Sequence, residues 1–228
     1  MGGRIIMNCR AEKIRVENGR VVQVTASRSG ETLEFAPDVL LSSMPLKDLA
    51  AGMNDIPASV SEIAAGLPYR DFVTVGLLVD RLNLKNETKL KTLNNIIPDC
   101  WIYVQDSGVK LGRIQIFNNW SPYLLRDPER SVWLGLEYFC REDDDCWNLS
   151  AELWKRKGIS ELVSMGVLSA DAAVSDFHVE KVRKAYPAYF DTYSRIDGLI
   201  HYLNSIENLY CIGRNGQHRY NNMDHSMA

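Results

Sequence analysis

Leu209-Tyr210-Cys211-Ile212-Gly213-Arg214-Asn215-Gly216-Gln217-His218-Arg219-Tyr220-Asn221-Asn222-Met223-Asp224-His225-Ser226-Met227-Ala228 ends the sequence and decides how the rest of it is read. The apolar run Leu209 to Ile212 reads as a short buried strand. It breaks at Gly213 into a segment crowded with Arg, Asn, His, Tyr and Asp side chains, a density that a plain surface loop does not need. A strand that opens through glycines onto polar groups and a helix start, with Asp224 or Ser226 as N-cap, presents free backbone N–H groups suited to a phosphorylated ligand. Arg214, directly after Gly213, reads either as part of a solvent-exposed polar tail or as a group that neutralises a pyrophosphate, because a planar guanidinium donates in pairs to phosphate oxygens. A helix begun near Asp224 has too few residues before Ala228 to nucleate alone. The segment from about Asn215 to Ala228 is therefore expected to be mobile, or ordered only through contact with another molecule, and the chain reads as a piece of something longer.

Upstream, residues 4–43 read as short strands. Arg4–Cys9 and Ala11–Val16 alternate, Asn18-Gly19 is a hairpin turn signal, and Arg20–Ala26 alternates again. Ser29-Gly30 turns the chain into Glu31–Phe35. Val39-Leu40-Leu41 suits a strand buried on both faces, and Pro45 suits the first position of a helix. Ala-rich helical segments follow from about Asp48. Strands are expected at Phe72–Val79, Cys100–Val104, Leu111–Asn118, Ser131–Phe139 and Asp176–Ala185, which are rich in β-branched and aromatic residues. A helix capped by Ser150 runs to Met165, and Asp191–Leu203 reads as a second one. The fold class is α+β, an antiparallel-rich mixed sheet with helices.

The composition of the 228 residues, 46% apolar and 24% charged, is that of a soluble globular protein. A net charge of −3 gives no electrostatic case for nucleic acid or an anionic membrane. No apolar stretch approaches the ~20 residues that span a bilayer, and the N-terminus lacks the pattern of a secretion signal. Five scattered cysteines, with no Cys-x-x-Cys, fit reduced thiols in the cytoplasm better than a disulfide framework. No His, Cys or carboxylate grouping has metal-ligand spacing, so no metal site is expected. Neither a Gly-x-Ser-x-Gly nor a Walker loop is present.

The terminal motif, Gly213-Arg214-Asn215-Gly216 with His218-Arg219-Tyr220-Asn221-Asn222 and Asp224-His225-Ser226, resembles the C-terminal FAD-contacting segment of flavoproteins related to UDP-galactopyranose mutase. These belong to the wider amine oxidase and protoporphyrinogen oxidase superfamily. Gly2 to Ile14, Asn18 to Val21 and Asp38 to Leu46 are similar to that superfamily's β-meander and exit strand. Asn118-Asn119-Trp120-Ser121-Pro122 and Lys184-Ala185-Tyr186-Pro187-Ala188-Tyr189 resemble the substrate domain of its lipopolysaccharide-linked members. The resemblance covers essentially the whole chain, but the superfamily's strand–Gly-x-Gly-x-x-Gly–helix is absent.

The resemblance implies three parts. Residues 1–47 belong to a partial FAD-binding domain, 48–205 form the substrate domain, and 206–228 are the C-terminal FAD-contacting segment. It implies FAD in the full-length protein and its loss from this piece, since the pyrophosphate cradle at a Rossmann turn is missing. The cofactor-contacting positions carried over are Ala11, Pro45, Gly213, Arg214, Asn222, Met223, Asp224, His225 and Ser226. The substrate positions are Asn118, Trp120, Tyr186, Tyr189, Arg219 and Tyr220. No catalytic residue is assigned, because in such enzymes the flavin does the chemistry while the protein supplies orientation and electrostatics.

Against each role stands a plainer one. Ala11 is an ordinary sheet residue, Pro45 starts a helix, Met223 and Trp120 fill a core, and Tyr186 and Tyr189 edge a sheet. The implied activity is that of an oxidoreductase or mutase (isomerase) acting on a nucleotide sugar for surface polysaccharide, with a homo-oligomer as an open expectation. Two other readings stay beside it: an amine oxidase or desaturase type of hydride abstraction, and a non-catalytic substrate-binding or interface module.

Overall fold

The computed structural model describes residues 2–227. In chain order the elements are β1 (Arg10–Glu17), β2 (Arg20–Arg28), β3 (Glu31–Phe35), β4 (Leu40–Ser42), α1 (Leu46–Gly52), α2 (Ala58–Gly66), β5 (Tyr69–Val79), β6 (Trp101–Tyr103), β7 (Arg113–Ile116) and α3 (Phe117–Trp120). After these come β8 (Val132–Cys140), α4 (Ala151–Ser164), β9 (Val174–Pro187), α5 (Ile196–Asn204), β10 (Leu209–Cys211), α6 (Gly213–Gly216) and α7 (Met223–Met227). The class is α+β, and the chain forms two compact units, 1–69 with 186–228, and 70–185.

In the first unit, β1, β2 and β3 make an antiparallel meander of their own. Both of its turns are two residues long. Asn18 and Gly19 at φ 49° and 74°, and Ser29 and Gly30 at φ 50° and 86°, have the left-handed pairs that match the twist of a hairpin. Residues 4–9, expected as a further strand, are irregular instead, with Ile5 and Met7 exposed. Their alternation is real, but a strand needs a ladder partner, and no strand among the described residues pairs with them.

β4 and β10 form a parallel pair in the register Leu40↔Leu209, Leu41↔Tyr210, Ser42↔Cys211. The expectation that Val39 to Leu41 is buried on both faces fails, because Leu41 is 62% exposed and Val39 is also exposed. The expected buried strand Leu209 to Ile212 is buried only at Leu209, with Tyr210 exposed. No further strand or helix among the described residues covers that face. Asn208, itself buried, ties the pair to the meander: its side chain accepts from Val21 N at 2.7 Å and donates to Val21 O at 3.0 Å and Asp38 O at 3.2 Å.

The core of this unit gathers Ile14, Val21 and Val24 of the meander, Leu46 and Leu49 of α1, Ile63 and Ala64 of α2, and Leu199 and Leu203 of α5. The compact units divide at 69/70 and 185/186. The apolar faces of α1, α2 and α5 bury in one core with the meander, α2 lying against α1 and α5, and that burial offsets the cost of ordering them. Pro45 stands one position earlier than expected, as the residue before α1, and its carbonyl accepts from Leu49 N at 3.0 Å.

The second unit is a five-stranded sheet in the order β6-β7-β8-β5-β9. Alternate residues Val73, Val75 and Leu77 of β5 join Leu134, Leu136 and Tyr138 of β8 against Trp154 and Leu162 of α4. Gly158 lets the helix approach, since a Cβ there would stand 2.7 Å from Leu136 Cδ1. Ser150 caps α4 as expected, its Oγ accepting from Leu153 N at 3.3 Å. The opposite face of the sheet carries a buried ion pair between Arg113 and Glu137, with the guanidinium 4.8 Å from the ring centroids of both Trp101 and Phe139.

Candidate functional site

Gly213 takes φ +73°, a left-handed turn that lets the chain leave β10 and start α6 at once. Gly216 then passes so close to β4 that a Cβ would stand 2.6 Å from Ser42 O. These two glycines seat the terminal segment on the end of the parallel pair, and the rest of it follows in defined form up to Met227. Within the segment, Arg214 bonds to Asn221 O and Ser226 Oγ to Asn221 Oδ1, while Met223 and Met227 are exposed.

Arg214 is the centre of what this segment builds. Its Nε and Nη2 both donate to Asn221 O at 3.2 Å. The guanidinium carbon lies 4.2 Å from the ring centroid of Tyr220 and 5.1 Å from that of Tyr186, and the two rings are nearly parallel at 14° with centroids 6.2 Å apart. Cation–π contacts of this kind contribute ~0.5–2 kcal/mol each. Arg214 with Asn221, Asn222, Met223, Ser226 and Met227 lines an open cleft of about 520 Å³.

The helix starts before either expected cap. α7 begins at Met223, so Asp224 and Ser226 lie inside it and neither is its N-cap. Ser226 Oγ donates to Asn221 Oδ1 at 2.8 Å, which braces the carbonyl-bearing residue that holds Arg214. Asp224 Oδ1 stands 3.2 Å from His225 Nδ1, and both side chains are exposed. The Arg219 side chain is exposed, and its backbone N donates to Arg214 O at 3.1 Å. Tyr189 is half exposed and its hydroxyl accepts from Tyr220 N at 2.7 Å.

The first unit thus brings together Gly213, Arg214, Asn222, Met223, Ser226, Tyr186, Tyr189 and Tyr220. Ala11 pairs with Ala26 within the meander, and Pro45 precedes α1. Asn118 and Trp120 belong to the other unit. Asn118 is buried and its amide is taken up by backbone: it accepts from Trp133 N at 3.0 Å and donates to Ser131 O at 2.8 Å. The Trp120 ring is half exposed and meets Trp101 edge-on at 5.7 Å.

Sequence reasoning missed Asn221 as the residue that orients Arg214, and Met227 in the cleft wall. It also missed the Arg113–Glu137 pair, which sits on adjacent strands far apart in sequence. Burial raises the Cys211 thiol to about 11 and the Cys140 thiol to about 12, so neither is a reactive thiolate near neutral pH. Among the described residues no group of three His, Cys, Asp or Glu side chains could hold a metal ion, and no helix is long and apolar enough to cross a membrane.

No protein-family model and no curated protein sequence matches the chain. Solved structures do. Reduced UDP-galactopyranose mutase is similar over 95% of this chain at 20% identity, with a TM-score of 0.72. A fatty acid isomerase from P. acnes that produces CLA is similar over 96% at 14% identity and 0.55, and a putrescine oxidase redesigned in its cofactor binding over 89% at 12% and 0.55. The chain spans 44% of the length of the mutase. Likeness at these identities establishes the fold, which is the one that the terminal motif led us to expect.

Proposed function

We propose that this chain supplies the substrate-facing part and the C-terminal cofactor-contacting segment of an FAD-dependent oxidoreductase or mutase. Its proposed substrate is a nucleotide sugar used in surface polysaccharide synthesis. The observation that carries the reading is the state of Arg214. Its guanidinium is held in place by one carbonyl and two tyrosine rings, it lines an open cleft, and its Nη1 makes no hydrogen bond among the described residues. A cation oriented in this way, with donors to spare, fits a phosphate group of a dinucleotide.

The other positions fit the same group. Gly213 leaves room for a close backbone approach, and Asn222, Met223, Asp224, His225 and Ser226 present the first turn of α7 beside Arg214. The turn has only five residues, so first-turn N–H groups rather than a helix dipole would do the holding. Ala11 and Pro45 would border the cofactor from the meander and the exit strand. Tyr186, Tyr189, Tyr220 and Arg219 would hold the sugar nucleotide by hydroxyl and guanidinium donors while the rings exclude water. Trp120 would offer its exposed ring, whereas Asn118 would act by shaping the turn that carries that ring.

The exposed parallel pair β4–β10 supports a further part of the reading. Parallel strands occur almost only with both faces covered, so Val39, Leu41 and Tyr210 suit the addition of a βαβ layer such as a dinucleotide-binding domain provides. When bound, the flavin supplies the redox or group-transfer chemistry.

The test is flavin retention by the whole gene product that contains this chain. We expect visible flavin absorbance in the purified wild-type protein, and FAD held ~10–150-fold more weakly by Arg214→Ala, the equivalent of ~1.5–3 kcal/mol for a charge-assisted hydrogen bond. Unchanged retention in Arg214→Ala removes the central residue from the site, and a colourless wild-type protein that takes up no added FAD refutes the reading.

A further inference from the structure

His218 stands in the most polar stretch of the chain, yet it is completely buried, at 0% exposure. Its ring lies against three tyrosines of its own unit, with centroids 4.8 Å from Tyr69, 5.8 Å from Tyr193 and 6.4 Å from Tyr189. Nε2 is 2.9 Å from Ala188 O. A carbonyl only accepts, so Nε2 carries the proton and Nδ1 of the neutral ring is a bare acceptor. Nδ1 is itself buried and has no hydrogen-bond partner.

The position of this ring matters to its neighbours in sequence. His218 lies between Arg214 and Tyr220, and the backbone around it is tied at both ends: His218 N donates to Asn215 O at 3.3 Å, Arg219 N to Arg214 O at 3.1 Å, and Tyr220 N to Tyr189 Oη at 2.7 Å. His218 adopts φ +46°, a left-handed conformation that costs a residue with a Cβ ~1–2 kcal/mol. The turn keeps that conformation because the tyrosine pocket holds the ring.

We propose that His218, as the neutral Nε2–H tautomer, is a positioning residue: its seat in the tyrosine pocket sets the stack of Arg214 with Tyr186 and Tyr220, and its protonation releases that stack. The functional meaning of the latch rests on the reading of the Arg214 cleft as an anion site, but the latch itself does not.

Protonation puts a charge, and a second donor with no acceptor, into a dry site. No carboxylate is paired with the ring among the described residues. Tyr69 at the start of β5 stays neutral, its hydroxyl pushed far up by burial and then by Asp48 of α1. Tyr189 and Tyr193 supply ring faces and edges, and the charges on their stretch, Asp191 and Arg195, are not paired with the imidazole. On its own segment the charged neighbours Arg214 and Arg219 are cations, which oppose a second positive charge. Burial accordingly holds the His218 pKa below the ordinary histidine value.

The test is a nitrogen-15 NMR titration of the 228-residue chain, followed at the His218 ring nitrogens and at Arg214 Nε. We expect His218 to show a bare Nδ1 and a protonated Nε2 at neutral pH, and to titrate below the ordinary histidine range. Arg214 Nε should lose its hydrogen-bonded signal with the same midpoint. In His218→Gln, whose amide can still donate to Ala188 O but does not titrate, the Arg214 signal should persist through that pH range. An Nδ1–H tautomer, an ordinary midpoint, or an Arg214 signal indifferent to the His218 titration overturns the proposal. The wild-type titration alone decides it if the variant does not fold. Flavin retention plays no part in this measurement, so its failure and that of the cofactor reading are separately visible.

Discussion

Removing Arg113 leaves one of the most deeply buried charges of the second unit without its partner. The Arg113 and Glu137 side chains are 10% and 4% exposed, and the guanidinium also lies against the rings of Trp101, Phe139 and Tyr103. In Arg113→Met, Gln115 still donates to Glu137 Oε1 at 2.6 Å, but one amide does not balance a carboxylate in that setting. Two unit charges ~4 Å apart at an effective dielectric near 20 attract by ~4 kcal/mol, and breaking one side of a buried pair costs ~3–5 kcal/mol. Each desolvated cation–π contact adds up to ~2 kcal/mol, partly replaced by the sulfur–aromatic contacts of Met.

We therefore expect Arg113→Met to lose ~3–5 kcal/mol in urea unfolding followed by tryptophan fluorescence, and Arg113→Met/Glu137→Leu to recover most of it. A double variant as unstable as the single one would show that the pair is not what holds these strands.

Other perturbations test the first unit and the caps. Gly216→Ala forces a Cβ to 2.6 Å from Ser42 O, a backbone atom that cannot swing aside, so it should cost ~1–3 kcal/mol in thermal unfolding; an unchanged Tm would mean that α6 does not pack on β4 as described. Because the folded pKa of His218 is depressed, the unfolded chain binds more protons below ~6.5. Stability is complete above that value and should fall by up to ~1.4 kcal/mol per pH unit as pH drops toward the folded pKa. His218→Gln should flatten this slope in Tm scans, and an equal slope would exonerate the imidazole. Ser150→Ala should cost ~0.5–2 kcal/mol by removing the cap on Leu153 N, read by circular dichroism; no loss would show that the cap is redundant.

Local chemistry made several features legible before any fold was known. Asn18-Gly19 and Ser29-Gly30 specify two-residue hairpins wherever they occur between alternating strands, and Ser150 before an apolar periodicity specifies a helix start. The Gly213-Arg214 break after an apolar run marked the place where the structure gathers Arg214, Asn222, Met223 and Ser226. The alternation in Arg4–Cys9 was just as clear and misled, because it reports which faces a strand would have and not whether a neighbour exists to pair with it.

What the sequence determined by itself was the class of fold, the two hairpin turns, the Ser150 cap and the segment that bears the cleft, since each depends on dihedral preferences and hydrogen bonds within a few residues. Tertiary structure alone decided where the compact units divide, because α1, α2 and α5 have no stable place until their apolar faces meet the meander. It alone decided that Asn221 aims Arg214, that His218 is buried among Tyr69, Tyr189 and Tyr193, and that Arg113 meets Glu137. Those contacts join residues whose distance along the chain carries no signal. Their stability comes from excluding water around a charge or a ring, and that requires the assembled core.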